Sequence, residues 1–225
     1  MSYLAVFDWN GTLYNDTPAT LAATNACLNY LGKDSIDLPT LQETFSFPLV
    51  HFYERMGVSV DVYLRDAAKL ADLFLDVYER ECPAYGLADG AMDTVLWLKS
   101  HGVHCMVLSN HLQDCVIRDA RRLGIDGCFD HISGTHTYAT ITTGMNKFER
   151  LSDYMAQGGY TPDKTFIIGD SHEEPEIARR LGILGISITG GLMSPARLEK
   201  HKTDYVVREL RELRGLLAAR WVLFK

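Results

Sequence analysis

The chain has 225 residues, 47% of them hydrophobic, which suits one large domain or one core with a modest insertion. A net charge of −7 argues against a basic surface that tracks phosphates, so no nucleic-acid partner is expected, although a locally positive pocket for a small anion remains open. No apolar run approaches the roughly 18 residues of a bilayer span, no basic-then-apolar leader precedes Tyr3, and Cys27, Cys82, Cys105, Cys115 and Cys128 form no C-x-x-C pair, so the expectation is a cytoplasmic protein with reduced thiols and no membrane partner.

Tyr3 to Phe7 is a short, nearly continuous apolar run, as in a strand buried on both faces, and Gly11-Thr12 marks a turn after it. Residues from about 16 to 86 change character. Thr17-Pro18 starts a helix that Gly32 stops, a second helix runs from about Pro48 to Gly57, and a third from about Asp61 to Glu81. The third places Leu70, Leu73, Phe74, Val77 and Tyr78 on one face, read as packing within the insertion. Nothing in this stretch alternates like a strand. Tyr14-Asn15-Asp16 and Tyr85-Gly86-Leu87 flank it as linkers.

After Gly90 the pattern alternates strictly. Helix Ala91–Ser100 leads to strand Val103–Leu108, helix Leu112–Leu123 to a strand near Phe129–Ile132, and a helix from about Asn146 to Gln157 to strand Thr165–Ile168. A helix with Pro175 in its first turn precedes strand Leu184–Ile188, and a short strand at 205–207 with a helix from about Arg208 closes the chain. Strands alternating with helices through short links predict a doubly wound parallel sheet, an α/β Rossmann-like core of residues 1–15 and 87–225 with an all-helical cap of residues 16–86. In such sheets the ligand sits outside the carboxyl ends of the strands. The first strand ends at Asp8-Trp9-Asn10-Gly11-Thr12, the second at Leu108-Ser109-Asn110 and the fourth at Ile168-Gly169-Asp170-Ser171, and Lys147 opens the helix before the fourth.

Phe-Asp-Trp-Asn-Gly-Thr-Leu, Leu-Ser-Asn, Lys147 and Ile-Gly-Asp-Ser-His-Glu-Glu resemble, in order, the four motifs of the haloacid dehalogenase-like hydrolase superfamily, and the segment from Phe47-Pro48 to Gly57 resembles its phosphoglycolate phosphatase-like branch. The resemblance implies a phosphoric monoester hydrolase acting on a small phosphorylated metabolite. Asp8 would attack phosphorus and form an aspartyl phosphate. Mg²⁺ would be held by Asp8, the Asn10 main-chain carbonyl and Asp170, with Glu174, one methylene longer than the usual Asp, in direct or indirect support. Ser109 and the Asn110 main-chain N–H would hold phosphoryl oxygens, and Lys147 would neutralise developing charge. Oligomeric state is not legible.

Asn10 departs from the pattern, which usually has an acid there to protonate the leaving alkoxide. An amide does not exchange protons usefully, and general acid–base help is worth about 10²–10⁴-fold. Three readings follow: slow turnover of alkyl phosphates, a preference for better leaving groups such as acyl or anhydride phosphates, or proton transfer by another residue, with His51, His111 and His172 as candidates. Two rival functions stand beside the phosphatase. A metal-independent carbon–halogen hydrolase would use the same nucleophile, but the acidic pair Asp170 and Glu174 calls for a cation. A non-catalytic phospholigand binder would need no acid at position 10.

Overall fold

The computed structural model describes residues 2–137, 142, 146–221 and 223. Strand β1 (Leu4–Phe7) is buried throughout and lies inside a six-stranded parallel sheet with β2 (His104–Leu112), β3 (His131–Thr135), β4 (Thr165–Gly169), β5 (Leu184–Ile188) and β6 (Tyr205–Val207), in the order β3-β2-β1-β4-β5-β6. Side chains alternate across a strand, so β1 feeds two cores. Ala5 and Phe7 join one apolar cluster with Cys105, Val107, Phe166 and Ile168, whereas Leu4 and Val6 join another with Met106, Leu108 and Ile167. Both faces of the sheet are therefore covered, which is why its strands read as continuous apolar runs.

Between β1 and the rest of the sheet the chain forms helices α1 (Thr17–Tyr30), α2 (Leu38–Thr44), α3 (Leu49–Arg55) and α4 (Val60–Glu81). The sheet is then wound with α5 (Ala91–Ser100), α6 (Gln113–Arg122), α7 (Lys147–Gly158), α8 (Glu173–Leu181), α9 (Pro195–Lys200) and α10 (Glu212–Arg220). Helices α5, α6 and α10 contribute Val95, Val116 and Leu217 to the first cluster, and α7 and α8 contribute Leu151 and Ile177 to the second. The expected α/β architecture is present. Among the described residues, no helix is long and apolar enough to cross a membrane. All five cysteines are free thiols.

The differences from the sequence expectation have local causes. Helices α2 and α9 are additional to it. Each is under eight residues, too short to show a period, but each has a cap: Asp37 Oδ1 accepts from Thr40 N at 2.9 Å, and Ser194 Oγ from Arg197 N at 3.4 Å. The last helix begins at Glu212 rather than near Arg208, because Glu212 Oε1 reaches back to accept from the Arg208 and Glu209 N–H groups at 2.7 and 3.1 Å. Strand β2 continues past Leu108 to Leu112 through a register shift against β3. Gly134 permits this close approach, since a Cβ there would lie 2.4 Å from Gln113 Cα.

The stripe on α4 does more than pack the insertion. Leu70 belongs to a cluster built from the inserted helices with Leu192, while Val77 and Tyr78 belong to the cluster on the sheet, and Leu73 and Phe74 touch both. A helix of 22 residues is about 33 Å long, enough to reach from one core to the other.

Candidate active site

The reversal of strand order places the ends of β1, β2 and β4 side by side. Phe7 pairs with Val107 on one side and Ile168 on the other, and Asp8 N donates to Ile168 O at 2.9 Å. Asp8 therefore emerges between the segments that carry Ser109 and Asp170, at the crevice where parallel sheets bind ligands.

At the centre is Lys147, the first residue of α7 and only 2% exposed. Its Nζ donates to Asp8 Oδ1 at 2.9 Å and to Glu174 Oε1 at 2.7 Å, and stands 3.8 Å from Glu173 Oε2. Burial disfavours the ammonium, but Asp8, Glu174 and Glu173 outweigh it and hold the Lys147 pKa above its ordinary value. Burial pushes the Asp8 carboxyl up to about 6 despite the pull of Lys147, and pushes Glu173 up to about 7. For Glu174 burial acts upward too, but Lys147 and the Ser171 hydroxyl prevail and its pKa is lowered.

Glu174 has both oxygens engaged. Oε1 accepts from Lys147 and Oε2 from Ser171 Oγ at 2.7 Å. The side chain folds back over the end of β4, where a Cβ on Gly169 would lie 2.4 Å from Glu174 Cδ. This arrangement makes Glu174 an anchor for Lys147. Asp170 is different. Its Oδ2 accepts from Leu192 N at 2.5 Å, and its Oδ1 is buried without a hydrogen-bond partner. Burial, then the charge of Asp8, raise its pKa well above the usual carboxylate range. The backbones of Gly11 and Gly191 close on this carboxyl so tightly that a Cβ on either would fall 2.3 or 1.9 Å from Oδ2.

These facts bear on whether a divalent cation fits. Among the described residues, no three His, Cys, Asp or Glu side chains gather in a metal-holding group. The candidate donors are instead two carboxylates that feel one another's charge, Asp8 and Asp170, and the main-chain carbonyl of Asn10. An all-oxygen set of few protein ligands suits Mg²⁺, which keeps several waters. The unpartnered Asp170 Oδ1 is the atom such an ion would satisfy.

Ser109 Oγ accepts from His111 N at 3.0 Å and donates to Asn10 Oδ1 at 3.4 Å, so it adjoins the β1 loop. The side chain of Asn110 donates to Glu173, a contact additional to its expected main-chain role. Arg150, on α7, donates to Ser109 O at 2.9 Å and to Ser133 O at 3.1 Å and so braces the end of β2.

Asn10 has a definite structural partner. Its Nδ2 donates to Asp16 Oδ2 at 2.6 Å and to the Tyr78 hydroxyl at 2.9 Å, while Tyr78 itself donates to Asp16. Asp16 Oδ1 accepts from Gly11 N at 2.9 Å. Asp16 is the N-cap residue of α1 yet makes no side-chain cap bond, because its carboxylate is turned into this network. Of the three histidines, His51 is exposed and pairs with Glu54 at 3.0 Å, away from the site. His172 lies 5.5 Å from the His201 ring. His111 is buried with its ring 5.0 Å from that of Tyr78 in an edge-on contact. Sequence reasoning does not find Glu173, Asp16, Tyr78 or Arg150 as members of the site. Asp16 and Tyr78 come from the helical insertion, and the only sign in sequence is an acid before Thr17-Pro18 whose ordinary explanation is a helix cap.

The chain matches the haloacid dehalogenase-like hydrolase family over residues 5–188. It belongs to that family. The phosphoglycolate phosphatase of Pseudomonas putida (strain KT2440) is 24% identical over 214 residues, covering 93% of this chain and 78% of the relative. The phosphoglycolate phosphatase of Synechococcus elongatus is 24% identical over 186 residues, 83% of each chain. A haloacid dehalogenase-like family hydrolase from Streptococcus pneumoniae superposes with a TM-score of 0.79 at 21% identity over 96% of this chain and 98% of its own, a likeness of fold.

The electrostatics of the site can be tested by unfolding. Lys147→Met leaves three carboxyl groups facing one another without their cation, and should cost about 3–5 kcal/mol of stability at pH 7.5 in chelator. The raised Asp8 and Glu173 values mean that their charged forms cost stability above about pH 6–7 and that the cost is relieved as pH falls. The deficit of the variant should therefore shrink at pH 5.5, as read by urea unfolding. His111 has the opposite sign. Burial lowers it to about 4, so the unfolded chain takes the proton first, and the stability present above about pH 6.5 is lost as pH falls toward 4. Between pH 6.5 and 4.5, His111→Asn should lose about 2 kcal/mol less than the wild type, because each tenfold difference in proton affinity between the folded and unfolded chains is worth about 1.4 kcal/mol.

Proposed function

We propose that the chain is a Mg²⁺-dependent phosphatase that hydrolyses a small phosphorylated molecule through an aspartyl phosphate on Asp8. The observation that carries this reading is the Asp8 carboxylate, buried at the end of β1 and paired with Lys147 beside Asp170. The family membership and the phosphatase relatives support it.

Asp8 would attack phosphorus in line with the ester oxygen, forming an Asp8 Oδ–P bond as the P–O ester bond breaks. The electron pair goes to the leaving oxygen, which takes a proton from water. Water then attacks phosphorus, the Asp8 bond breaks, and the products are phosphate, the alcohol and the restored carboxylate. Mg²⁺ held by Asp8, Asp170 and the Asn10 carbonyl would supply positive charge against the phosphoryl oxygens. Ser109 and the Asn110 N–H would orient the phosphoryl group, and Lys147, fixed by Glu174, would offset charge growing on it. The helical insertion, as a cap of residues 16–86 on a core of residues 1–15 and 87–225, would exclude water.

Asn10 favours a second reading, a binder without turnover, because its amide hydrogens are already donated to Asp16 and Tyr78 and it offers no acid. Phosphate release separates the two. Turnover in Mg²⁺ should fall about 10³-fold or more in Asp8→Asn and vanish in EDTA. Saturable beryllium fluoride binding without turnover of any ester would instead favour the binder, and release of halide from a haloalkanoate that survives EDTA would favour the dehalogenase chemistry. Asn10→Asp should raise kcat on a simple alkyl phosphate, by up to about 10²-fold if the acid works at part of its usual effect. A fall in kcat would show that the amide serves the chemistry as it stands.

A further inference from the structure

The cavity between the helical insertion and the strand ends encloses about 110 Å³. It meets the core at Asn10, Asn110 and His111. Its walls include Phe47, Phe52, Tyr63, Leu70, Phe74 and Leu192. No Lys, Arg, Asp or Glu lines it among the described residues. Thr142 also lines it, and in sequence the stretch 138–145 around Thr142 contains no charged residue.

None of the cations of the insertion lines the cavity. Arg55 donates to Thr44 O and Ser46 Oγ at 2.8 and 2.7 Å, Arg65 pairs with Asp66, and Arg80 with Glu81. Lys69 lies over the Tyr30 ring, and Lys33 Nζ lies against Gly57. A leaving group with a carboxylate, such as the glycolate of phosphoglycolate, would therefore lose its water in this space without gaining a counter-charge. The cavity is of the order of the ~150 Å³ apolar cavity that holds one benzene ring.

A second, independent observation concerns the leaving oxygen. The Asn10 amide donates both its hydrogens to Asp16 and Tyr78, so nothing at position 10 protonates the departing group. An alkoxide is about as basic as hydroxide, whereas a phenoxide has a conjugate acid near pKa ~10 and departs without an acid.

We infer, on the footing of the phosphatase reading above, that the substrate is the phosphate monoester of a small, uncharged aromatic alcohol, its ring seated in the cavity and its phenolic oxygen leaving without a proton donor. In the transfer the P–O(aryl) bond breaks as the Asp8–P bond forms, the pair leaves on the phenoxide, and water protonates it.

The test compares phenyl phosphate, benzyl phosphate, acetyl phosphate and phosphoglycolate with wild type in Mg²⁺. Benzyl phosphate should exceed phosphoglycolate in kcat/KM by about 10²-fold, since one ring fits and one carboxylate does not. Phenyl phosphate should exceed benzyl phosphate by about 10²-fold or more, and this ratio should fall toward about 10 in Asn10→Asp, where an acid is restored. Acetyl phosphate, with a good leaving group but no ring, should fall below phenyl phosphate. Ala71→Lys, which puts a cation on the cavity wall, should shift the phosphoglycolate-to-benzyl ratio upward about tenfold or more. Phosphoglycolate turned over faster than benzyl phosphate by wild type would overturn the inference and leave the phosphatase reading intact. Calorimetry on Asp8→Asn with Mg²⁺ gives a readout free of turnover: benzylphosphonate should bind at least about tenfold more tightly than phosphonoacetate. That preference without turnover of any ester would sink the phosphatase reading while supporting the pocket assignment. The reverse preference would overturn it.

Discussion

A single buried ammonium faces three carboxyl groups, and most of the site follows from that. Lys147 sits within contact distance of Asp8 and Glu174 and 3.8 Å from Glu173, with Asp170 next to Asp8. One positive charge does not balance four acids in a dry crevice. The structure responds in two ways: burial drives Asp8, Glu173 and Asp170 toward their neutral forms, and Lys147 with Ser171 keeps Glu174 charged. The unpartnered oxygen of Asp170 marks where further positive charge would be taken up. The low exposure of Asp8 and the close approach of glycines 11 and 191 to Asp170 belong to this same crowded crevice.

The second organising feature is the amide at position 10. An acid there would bring two carboxyl groups to the separation now spanned by the 2.6 Å hydrogen bond from Asn10 to Asp16. The amide is a donor and meets Asp16 without repulsion. The same network ties the loop after β1, the N-cap of α1 and the last turn of α4 together through Tyr78, so the amide at position 10 also helps to fix how these helices sit over the crevice.

The comparison with relatives separates fold from specificity. A solved hydrolase only 21% identical shares this fold over 96% of the chain, so the sheet tolerates wide change in sequence. The cavity walls come from the inserted helices, where only apolar character and helix period are constrained by folding. Among the described residues the cavity walls are largely aromatic and aliphatic and carry no Lys, Arg, Asp or Glu.

The sequence by itself determined the α/β class, the all-helical character of residues 16–86 and the chain positions of Asp8, Ser109, Lys147 and Asp170, because apolar period and helix punctuation are local and the acids follow directly on buried strands. It also exposed the anomaly at Asn10. It did not reveal α2 and α9, which are too short to show a period, nor the extension of β2, which depends on how closely Gly134 lets a neighbouring strand approach. Only the tertiary structure decided that Glu174 holds Lys147, that Glu173 meets Asn110, that Arg150 braces Ser109, and that Asp16 abandons its helix cap for Asn10. Those contacts join residues as many as 63 positions apart, and Tyr78 meets Asn10 across 68. Separations of that size are set by the winding of the sheet and the length of α4, which no local pattern of residue types encodes.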